Sequence, residues 1–292
     1  MKVIRVGSRD SKLAIIQAQM VIDAIHQYDP QIKTELVTMK TTGDRRLDVS
    51  LDQIGGKGLF VKELDDALLG GAVDITVHSY KDMPMEIDEM LPIVALSRRE
   101  DPRDVLIYSK GVVNPEKPVG CSSKRRTIQL RQLGFQNIAS LRGNVITRLR
   151  KLDEGEYSAI VLAAAGMKRL ALESQIDRYF NTEEIIPAAC QGIIAVQARK
   201  GENTDYLSCF HNEEAKLVSE AERAFTAALD GGCSSPSAAY AVIQNNQIVV
   251  NGLYVEEETG QVSRGSKTGK LKDAARIGKE LALALKEGGQ YK

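Results

Sequence analysis

The stretch VGCSSKRRTIQLRQL, from Val119 to Leu133, joins a short apolar run to a longer segment with helical periodicity. Its first three residues predict a strand, and residues 123–133 predict a helix. The small polar residues between them can cap the helix that follows. The stretch is therefore predicted to be one strand–turn–helix unit, the repeating element of an α/β fold.

Similar runs alternate on both sides of this unit over the first two thirds of the chain. The pattern predicts strands at 3–6, 34–38, 74–78, 91–97, 104–108, 138–141 and 159–162, and helices at 13–25, 61–69 and 145–152. This alternation is typical of α/β folds with a mostly parallel sheet. The predicted fold class is therefore α/β.

Three domains are predicted from changes in this pattern and from the length of 292 residues. The alternation restarts near residue 100, and 187–196 can return the chain to the first domain, so the two crossings would form a hinge. Beyond residue 213, a charged helix (213–229), a hairpin around Asn245-Asn246 and a helix (272–286) indicate a small α+β domain. The predicted domains are 1–98 with 190–210, 99–189, and 211–292.

Composition limits the classes of function. The 39 Lys and Arg balance 39 Asp and Glu, so no net charge steers the chain toward nucleic acid or an anionic membrane. No window has the roughly 18 consecutive apolar residues of a membrane helix, and we expect a cytoplasmic protein. Four dispersed cysteines and three histidines indicate neither a disulfide scaffold nor a metal site. Cys190 and Cys209 are expected to be buried core residues.

Cations recur where predicted strands meet predicted helices. Arg9 follows the first strand, Lys124-Arg125-Arg126 follow the strand at Val119, and Arg142 follows the strand at 138–141, with Arg148 one turn into the next helix. Helix N-termini attract anions, and arginine adds a planar fork matched to carboxylate or phosphate. Residues 122–151 contain eight Lys and Arg but no Asp or Glu. This local bias favours an anion-binding cleft at the open strand ends.

Other interpretations of these cations remain. Each arginine alone could lie on a solvated helix face, and phosphate would suit the same geometry as carboxylate. Nucleotide binding is disfavoured because the chain contains no GxxxxGK[ST] motif and no GxGxxG after a strand. RNA binding is disfavoured because the net charge is zero and few aromatic residues accompany the arginines. A two-lobed anion receptor without chemistry is a further alternative.

Three more residues are candidates for chemistry. Lys57, in the glycine-rich segment 55–58, could lie on a mobile lid or on an ordinary turn. Asp82 follows a buried-looking strand and suits a reaction that develops positive charge, although a salt bridge to Lys81 or a loop cap would explain it equally. Cys233, on a glycine turn, is a candidate nucleophile or attachment point.

In combination, six segments resemble the porphobilinogen deaminase family. They are GSRDS at 7–11, GGKGLFVKEL at 55–64, HSYKDMP at 78–84, REDPRD at 99–104, SLRGN at 140–144 and GGC at 231–233. The resemblance runs nearly the full chain. It implies a transferase of haem biosynthesis that joins four porphobilinogen molecules head to tail, releasing ammonia each time, to give hydroxymethylbilane.

The resemblance also implies a fold, a cofactor and site residues. Two domains like type II periplasmic binding proteins would flank a cleft, and the small third domain would carry dipyrromethane, linked through a thioether to Cys233. Asp82 would be catalytic. The implied cofactor contacts are Lys81, Asp82, Ser122, Arg125, Arg126 and Arg142, and the implied substrate contacts are Arg9, Ser11, Lys57, Arg142, Arg148 and Arg169. We expect a monomer whose partner is porphobilinogen, with no nucleic acid and no membrane.

Overall fold

The computed structural model of the chain describes residues 3–45, 61–110, 114, 116–229 and 235–288. Lys57 and Cys233 lie outside these described residues. The chain divides into two compact units, Met1–Glu100 with Gly192–Ala215 and Asp101–Gln191 with Lys216–Lys292.

The strands and helices follow one another in the alternating order that the sequence predicts. In chain order they are β1 Val3–Arg9, α1 Lys12–Tyr28, β2 Lys33–Met39, α2 Thr42–Arg45, α3 Lys62–Leu69, β3 Ile75–Ser79, β4 Ile93–Leu96, β5 Asp104–Tyr108, β6 Val119–Gly120, α4 Lys124–Gln132, β7 Ile138–Ala139, α5 Val145–Asp153, β8 Ala159–Ala163, α6 Ala164–Arg169, β9 Arg178–Tyr179, β10 Ile194–Ala198, α7 Glu213–Ala228, β11 Ala238–Gln244, β12 Gln247–Val255, β13 Val262–Lys270 and α8 Ala274–Lys286.

The first unit is built on a sheet of order β2-β1-β3-β10-β4. β1 runs parallel to β2 and β3, whereas β10 runs antiparallel to β3 and β4. Helix α1 covers this sheet because its apolar residues recur at helical spacing, and Ala18, Val21 and Ile25 are fully buried in the core with the sheet residues Val6 and Ile75.

The second unit contains a sheet with the same arrangement, in the order β7-β6-β8-β5-β9. β6 runs parallel to β7 and β8, and β5 runs antiparallel to β8. In both sheets the fourth strand is therefore the antiparallel one, and the chain enters it within a few residues of crossing from the other unit. The alternation of strands and helices around these two sheets confirms the predicted α/β fold class.

The C-terminal part of the second unit is an antiparallel sheet, β11-β12-β13, packed against α8. The hairpin predicted at Asn245-Asn246 is confirmed, and both residues have positive φ, 49° and 59°, as a two-residue hairpin turn requires. Helix α8 approaches α7 so closely that a Cβ on Gly278 would lie 2.0 Å from the carbonyl oxygen of Ala221.

Five elements are absent from the sequence prediction: α2, α6, β9, β10 and β13. β13 is polar and contains two glycines, so it lacks the alternating apolar pattern of a strand. It nevertheless pairs with β12 along its whole length. Gly269 in this strand lies against the Ile277 side chain of α8. A Cβ on Gly269 would come within 2.3 Å of that side chain, so a larger residue would not fit there.

The cysteine prediction is half right. Cys190 is buried, as expected, but Cys209 is exposed and the expectation of a core residue is wrong there. Cys209 follows the short turn Asp205–Leu207, from which only Leu207 is buried. In the described part of the chain, no helix has both the length and the apolar character needed to cross a membrane.

Candidate active site

Four predicted site residues meet at one edge of the first sheet. Because β1 and β3 are parallel neighbours, their carboxyl ends lie at the same edge. Arg9 ends β1, and the Ser11 hydroxyl caps α1 by accepting a hydrogen bond from the Ala14 N–H at 3.4 Å. Lys81 and Asp82 lie on the 3₁₀ turn that directly follows β3.

This turn is held on both sides by backbone hydrogen bonds and burial. The Tyr80 N–H donates to the carbonyl of Ile193 at 3.0 Å, and the Met83 N–H donates to the carbonyl of Tyr80 at 3.2 Å. Tyr80 and Met83 are buried, whereas Lys81 and Asp82 between them are half-buried. The fold thus fixes the backbone that carries the Asp82 carboxylate while leaving that side chain partly accessible.

His78 lies in β3 at this edge and is neutral at physiological pH. Burial lowers the pKa of His78 to about 4, and the positive charge of Arg9 contributes in the same direction. Its ring nitrogen Nε2 lies 3.0 Å from the Thr76 hydroxyl oxygen. His78 therefore adds no positive charge to that of Arg9 and Lys81 at this edge.

The arginine junctions of the second unit also share an edge, because β6, β7 and β8 are parallel. Ser123 caps α4 by accepting from the Arg126 N–H at 3.5 Å, and Asn144 caps α5 by accepting from the Thr147 N–H at 3.0 Å. The predicted caps at these strand-to-helix junctions are therefore present. Arg169 ends α6, the helix after β8, and is half-buried.

The Ser122 hydroxyl ties two of these junctions together. It donates to the Leu141 carbonyl at 2.7 Å and accepts from the Leu141 N–H at 2.8 Å. Arg142 follows Leu141 directly, so this pair of bonds holds the Arg142 backbone beside the junction of β6 and α4. Arg148, in α5, donates from Nε to the Gly143 carbonyl at 2.7 Å.

Arg125 and Arg126 form a buried cluster with Asp104. Arg125 Nη1 donates to Asp104 Oδ2 at 2.7 Å, and Arg126 donates from Nε and Nη2 to Asp104 Oδ1 at 3.0 and 2.7 Å. Asp104 begins β5, whose antiparallel direction brings its first residue to the carboxyl edge of β8. The alternative that these two arginines lie on a solvated helix face is therefore wrong.

Burial and mutual contact set the charge states in this cluster. Burial alone would raise the pKa of Asp104, but the two guanidinium groups hold that pKa well below its ordinary value, so the carboxylate is ionised. Burial lowers the pKa of Arg125, and the charge of Asp104 opposes that shift. Both guanidinium groups contact this one carboxylate, and buried arginine donors are suited to a ligand carboxylate as well.

Arg125 also retains donor groups for such a ligand. It donates only through Nη1, to Asp104 and to the Ile186 carbonyl, among the residues that the structure describes. Its side chain is nevertheless only 5% exposed. Buried arginine donors fit dipyrromethane, whose pyrrole rings carry carboxylates.

Sequence reasoning missed two residues of this cluster, Asp104 and Gln191. Gln191 donates from Nε2 to Asp104 Oδ1 at 2.9 Å and to the Pro102 carbonyl at 2.6 Å. A signal for Asp104 did exist: it is an acidic residue at the start of an apolar strand, in a chain whose arginine-rich segment has no acid of its own. No comparable signal marked Gln191.

Fold and site together define a class: an α/β protein with two sheets of similar strand arrangement, each with cationic side chains at the carboxyl ends of its parallel strands. A family model described as "Porphobilinogen deaminase, dipyromethane cofactor binding domain" matches residues 4–206, and one described as "Porphobilinogen deaminase, C-terminal domain" matches residues 216–287. The chain therefore belongs to the porphobilinogen deaminase family.

Individual relatives agree with this assignment. The chain is 59% identical over 288 residues to a porphobilinogen deaminase of Acetivibrio thermocellus, covering 98% of each protein. It is 58% identical over 288 residues to the porphobilinogen deaminase of Ruminiclostridium cellulolyticum, again covering 98% of each protein.

Among solved structures the chain is similar to the periplasmic VFT2 domain of Bordetella pertussis BvgS, with a TM-score of 0.42, 13% identity, and coverage of 71% of this chain and 84% of that one.

The function predicted from the sequence is confirmed by the family. The protein acts in tetrapyrrole biosynthesis, condensing four porphobilinogen molecules into hydroxymethylbilane, and its cofactor is dipyrromethane.

Proposed function

We propose that Asp82 is the catalytic carboxylate of this condensation and that Cys233 holds dipyrromethane through a thioether. The observation that carries the proposal is the position of Asp82: a half-buried carboxylate on a fixed turn at the same sheet edge as Arg9. Dipyrromethane, when bound, supplies the first pyrrole to which incoming units are joined.

Each addition breaks the carbon–nitrogen bond of a porphobilinogen aminomethyl group and releases ammonia, so positive charge develops on the substrate. A carboxylate fixed near that charge stabilises it more than water does, because the negative charge is already in place whereas water dipoles would have to reorient. The Asp82 oxygens can also accept hydrogen bonds from pyrrole N–H groups. They can take up the proton that the attacking α-carbon of the terminal ring loses when the new carbon–carbon bond has formed.

The cationic side chains bind carboxylates in this proposal. Each porphobilinogen carries an acetate and a propionate, and arginine matches a carboxylate with two parallel N–H donors. We assign the cofactor carboxylates to Lys81, Ser122, Arg125, Arg126 and Arg142, and the substrate carboxylates to Arg9, Ser11, Lys57, Arg142, Arg148 and Arg169. The donor groups that Arg125 retains beside Asp104, and the position of Arg126 in the same buried cluster, support their assignment.

Further features belong to the same proposal. The enzyme is a transferase, since each step moves a pyrrolylmethyl group from nitrogen to carbon. Its three domains are 1–98 with 190–210, 99–189, and 211–292, and the separate sheet β11-β12-β13 supports the last of them. It acts as a cytoplasmic monomer, and a net charge of zero provides no attraction to an anionic membrane surface. Light scattering after size exclusion tests the monomer.

Intact mass tests the attachment of the cofactor. The purified protein is expected to exceed its sequence mass by one dipyrromethane, and Cys233→Ser is expected to have the unmodified mass because a hydroxyl is a far weaker nucleophile than a thiolate. Cys209→Ser, which alters an exposed cysteine, is the matched control and should keep the added mass. An unmodified mass in fully active wild-type protein would refute the attachment.

A further inference from the structure

We propose that Gln191 is a positioning residue, which fixes the carboxylate of Asp104 and through it the arginine pair Arg125 and Arg126. The inference rests on the proposed function, in which that pair binds cofactor carboxylates. Gln191 is 1% exposed, and its amide nitrogen donates both to Asp104 Oδ1 and to the Pro102 carbonyl.

The three donors to Asp104 come from different parts of the second unit. Arg125 and Arg126 belong to α4, whereas Gln191 is the last residue of the segment Asp101–Gln191. Two guanidinium groups alone leave the carboxylate free to adjust as they move. A third, neutral donor anchored to backbone fixes its orientation, because the amide is itself held by the Pro102 carbonyl.

The position of Gln191 in the chain gives this anchor its significance. Pro102 and Gln191 lie at the two ends of the segment Asp101–Gln191, where the chain enters and leaves the second unit. The Gln191 side chain therefore joins both ends to each other and to Asp104. In the first unit, the residues just across these boundaries are also paired: the Glu100 N–H donates to the Gly192 carbonyl at 3.1 Å.

The backbone around Gln191 is itself tightly constrained. Cys190 has a φ of 62°, which non-glycine residues rarely adopt, and its N–H donates to the buried carboxylate of Glu222 at 2.6 Å. Gly192 has a φ of 92°, and a Cβ there would lie 2.3 Å from the Glu100 carbonyl oxygen. With both neighbours fixed, the direction of the Gln191 side chain is set by the fold.

A positioning role differs measurably from a merely structural one. Loss of a structural hydrogen bond reduces the amount of folded enzyme but leaves each folded molecule unchanged. Loss of a positioning bond changes how folded molecules hold the growing pyrrole chain. The discriminating measurement is therefore the distribution of pyrrole chain lengths on folded holoenzyme, by intact mass, after limited porphobilinogen is added below the unfolding temperature.

The test variant is Gln191→Met, which keeps the length of the side chain and removes its donor. The matched control is Gln197→Met: Gln197 is also buried and donates from Nε2 to a backbone carbonyl, that of Leu91, at 2.7 Å, and among the described residues this amide donates to no charged group. Both variants lose one buried hydrogen bond to backbone. Only Gln191→Met removes a donor from Asp104.

We expect Gln191→Met to lower kcat/KM by about 10- to 100-fold and to shift the chain-length distribution toward partly extended forms, since a buried charged group loses one of its hydrogen-bond donors. Gln197→Met should match the wild-type distribution. If Gln191→Met does not fold, Gln191→Asn, which keeps the amide but shortens its reach, carries the same expectation.

The outcomes separate this inference from the function on which it rests. If wild-type enzyme elongates normally and the Gln191 variants have the same chain-length distribution as Gln197→Met, the positioning role is wrong and the proposed function stands. If the wild-type protein itself adds no pyrrole units, the proposed function fails. A changed distribution confined to the Gln191 variants supports the inference.

Discussion

Arg126 donates through both Nε and Nη2 to a single oxygen, Oδ1 of Asp104, at 3.0 and 2.7 Å. The Arg126 and Asp104 side chains are 8% and 0% exposed. Removing one partner of a buried ion pair leaves a charge without compensation. Asp104 therefore determines the stability of the cluster and the electrostatic character of a site that the arginines are proposed to form.

The first prediction concerns Asp104→Asn. We expect the free energy of unfolding to fall by about 3–5 kcal/mol, because two buried guanidinium groups lose the carboxylate that both of them contact. Urea unfolding monitored by circular dichroism measures the change. Glu154→Gln is the control: the side chains of Glu154 and its partner Arg150 are 45% and 61% exposed, and such pairs contribute about 0–1 kcal/mol. Equal losses in the two variants would contradict the assigned role of Asp104.

The second prediction concerns Asp82→Asn, which preserves shape and one acceptor oxygen but removes the negative charge. We expect kcat for hydroxymethylbilane formation to fall by about 10²–10³-fold, the usual cost of losing one electrostatic stabiliser of a transition state. Thermal unfolding should be little changed, since Asp82 is half-buried on the surface of the turn. Glu89→Gln, an exposed acid farther along the same loop, should keep full activity. Near-normal turnover by Asp82→Asn would end the catalytic assignment.

The third prediction concerns Arg142→Leu. The Ser122 hydroxyl holds the preceding residue, Leu141, so the variant backbone should stay in place while the guanidinium is lost. We expect elongation to slow and partly extended enzyme-bound chains to accumulate, because substrate carboxylates would lack a partner. Intact mass after a short incubation with porphobilinogen detects them. Arg131→Leu, which removes an exposed arginine of α4, should elongate normally. Wild-type elongation by Arg142→Leu would exclude a binding role.

Local sequence features were enough to locate the strand ends, the helix caps and the cationic junctions. Ser11, Ser123 and Asn144 each cap the helix that the pattern predicts, because capping depends only on residues within one turn. The hairpin at Asn245-Asn246 is local in the same way. We predicted that the cationic junctions share the edge formed by the carboxyl ends of parallel strands. Within each unit, the structure has them at such an edge.

Features that depend on distant partners were not predictable. Asp104 and Arg126 are 22 residues apart, and Gln191 is a further 65 residues along the chain, so no local pattern joins them. β13 was missed for a related reason: its stability comes from pairing with β12 and from the fit of Gly269 against Ile277, not from its own polar sequence. The burial of Arg125, on helix α4, likewise depends on a distant counter-ion, Asp104 of strand β5.

The fourth prediction concerns acid stability and His78. Its folded pKa is lowered to about 4 by burial and by Arg9, whereas an unfolded histidine titrates near 6.5. The unfolded chain therefore takes up a proton first, and the free energy of unfolding should fall as pH decreases from about 7 to 4, by up to about 3 kcal/mol. Urea unfolding at several pH values measures the slope, and His78→Asn should remove this component.

Comparison with the variant is needed because Asp65 acts in the opposite direction. Burial and the nearby charges of Asp88 and Asp66 raise the pKa of Asp65 to about 6, so its folded form takes up a proton before the unfolded form does. That contribution is common to wild type and His78→Asn and cancels in their difference. Identical pH slopes in the two proteins would show that His78 is not held neutral.

The fifth prediction concerns the packing of α8 on α7, the helix that leads toward Cys233. Gly→Ala inside a helix ordinarily stabilises by about 1 kcal/mol. At Gly278 the sign should reverse, because the new Cβ would lie 2.0 Å from the Ala221 carbonyl oxygen and backbone cannot yield as a flexible side chain would. We expect Gly278→Ala to lower the free energy of unfolding by about 1–3 kcal/mol, as overpacking does. Lys279→Ala, at the next and exposed position of the same helix, should leave stability unchanged or slightly higher. A stabilised Gly278→Ala protein would mean that the two helices can separate at little cost, and that their contact does not fix the helix from which the chain reaches Cys233.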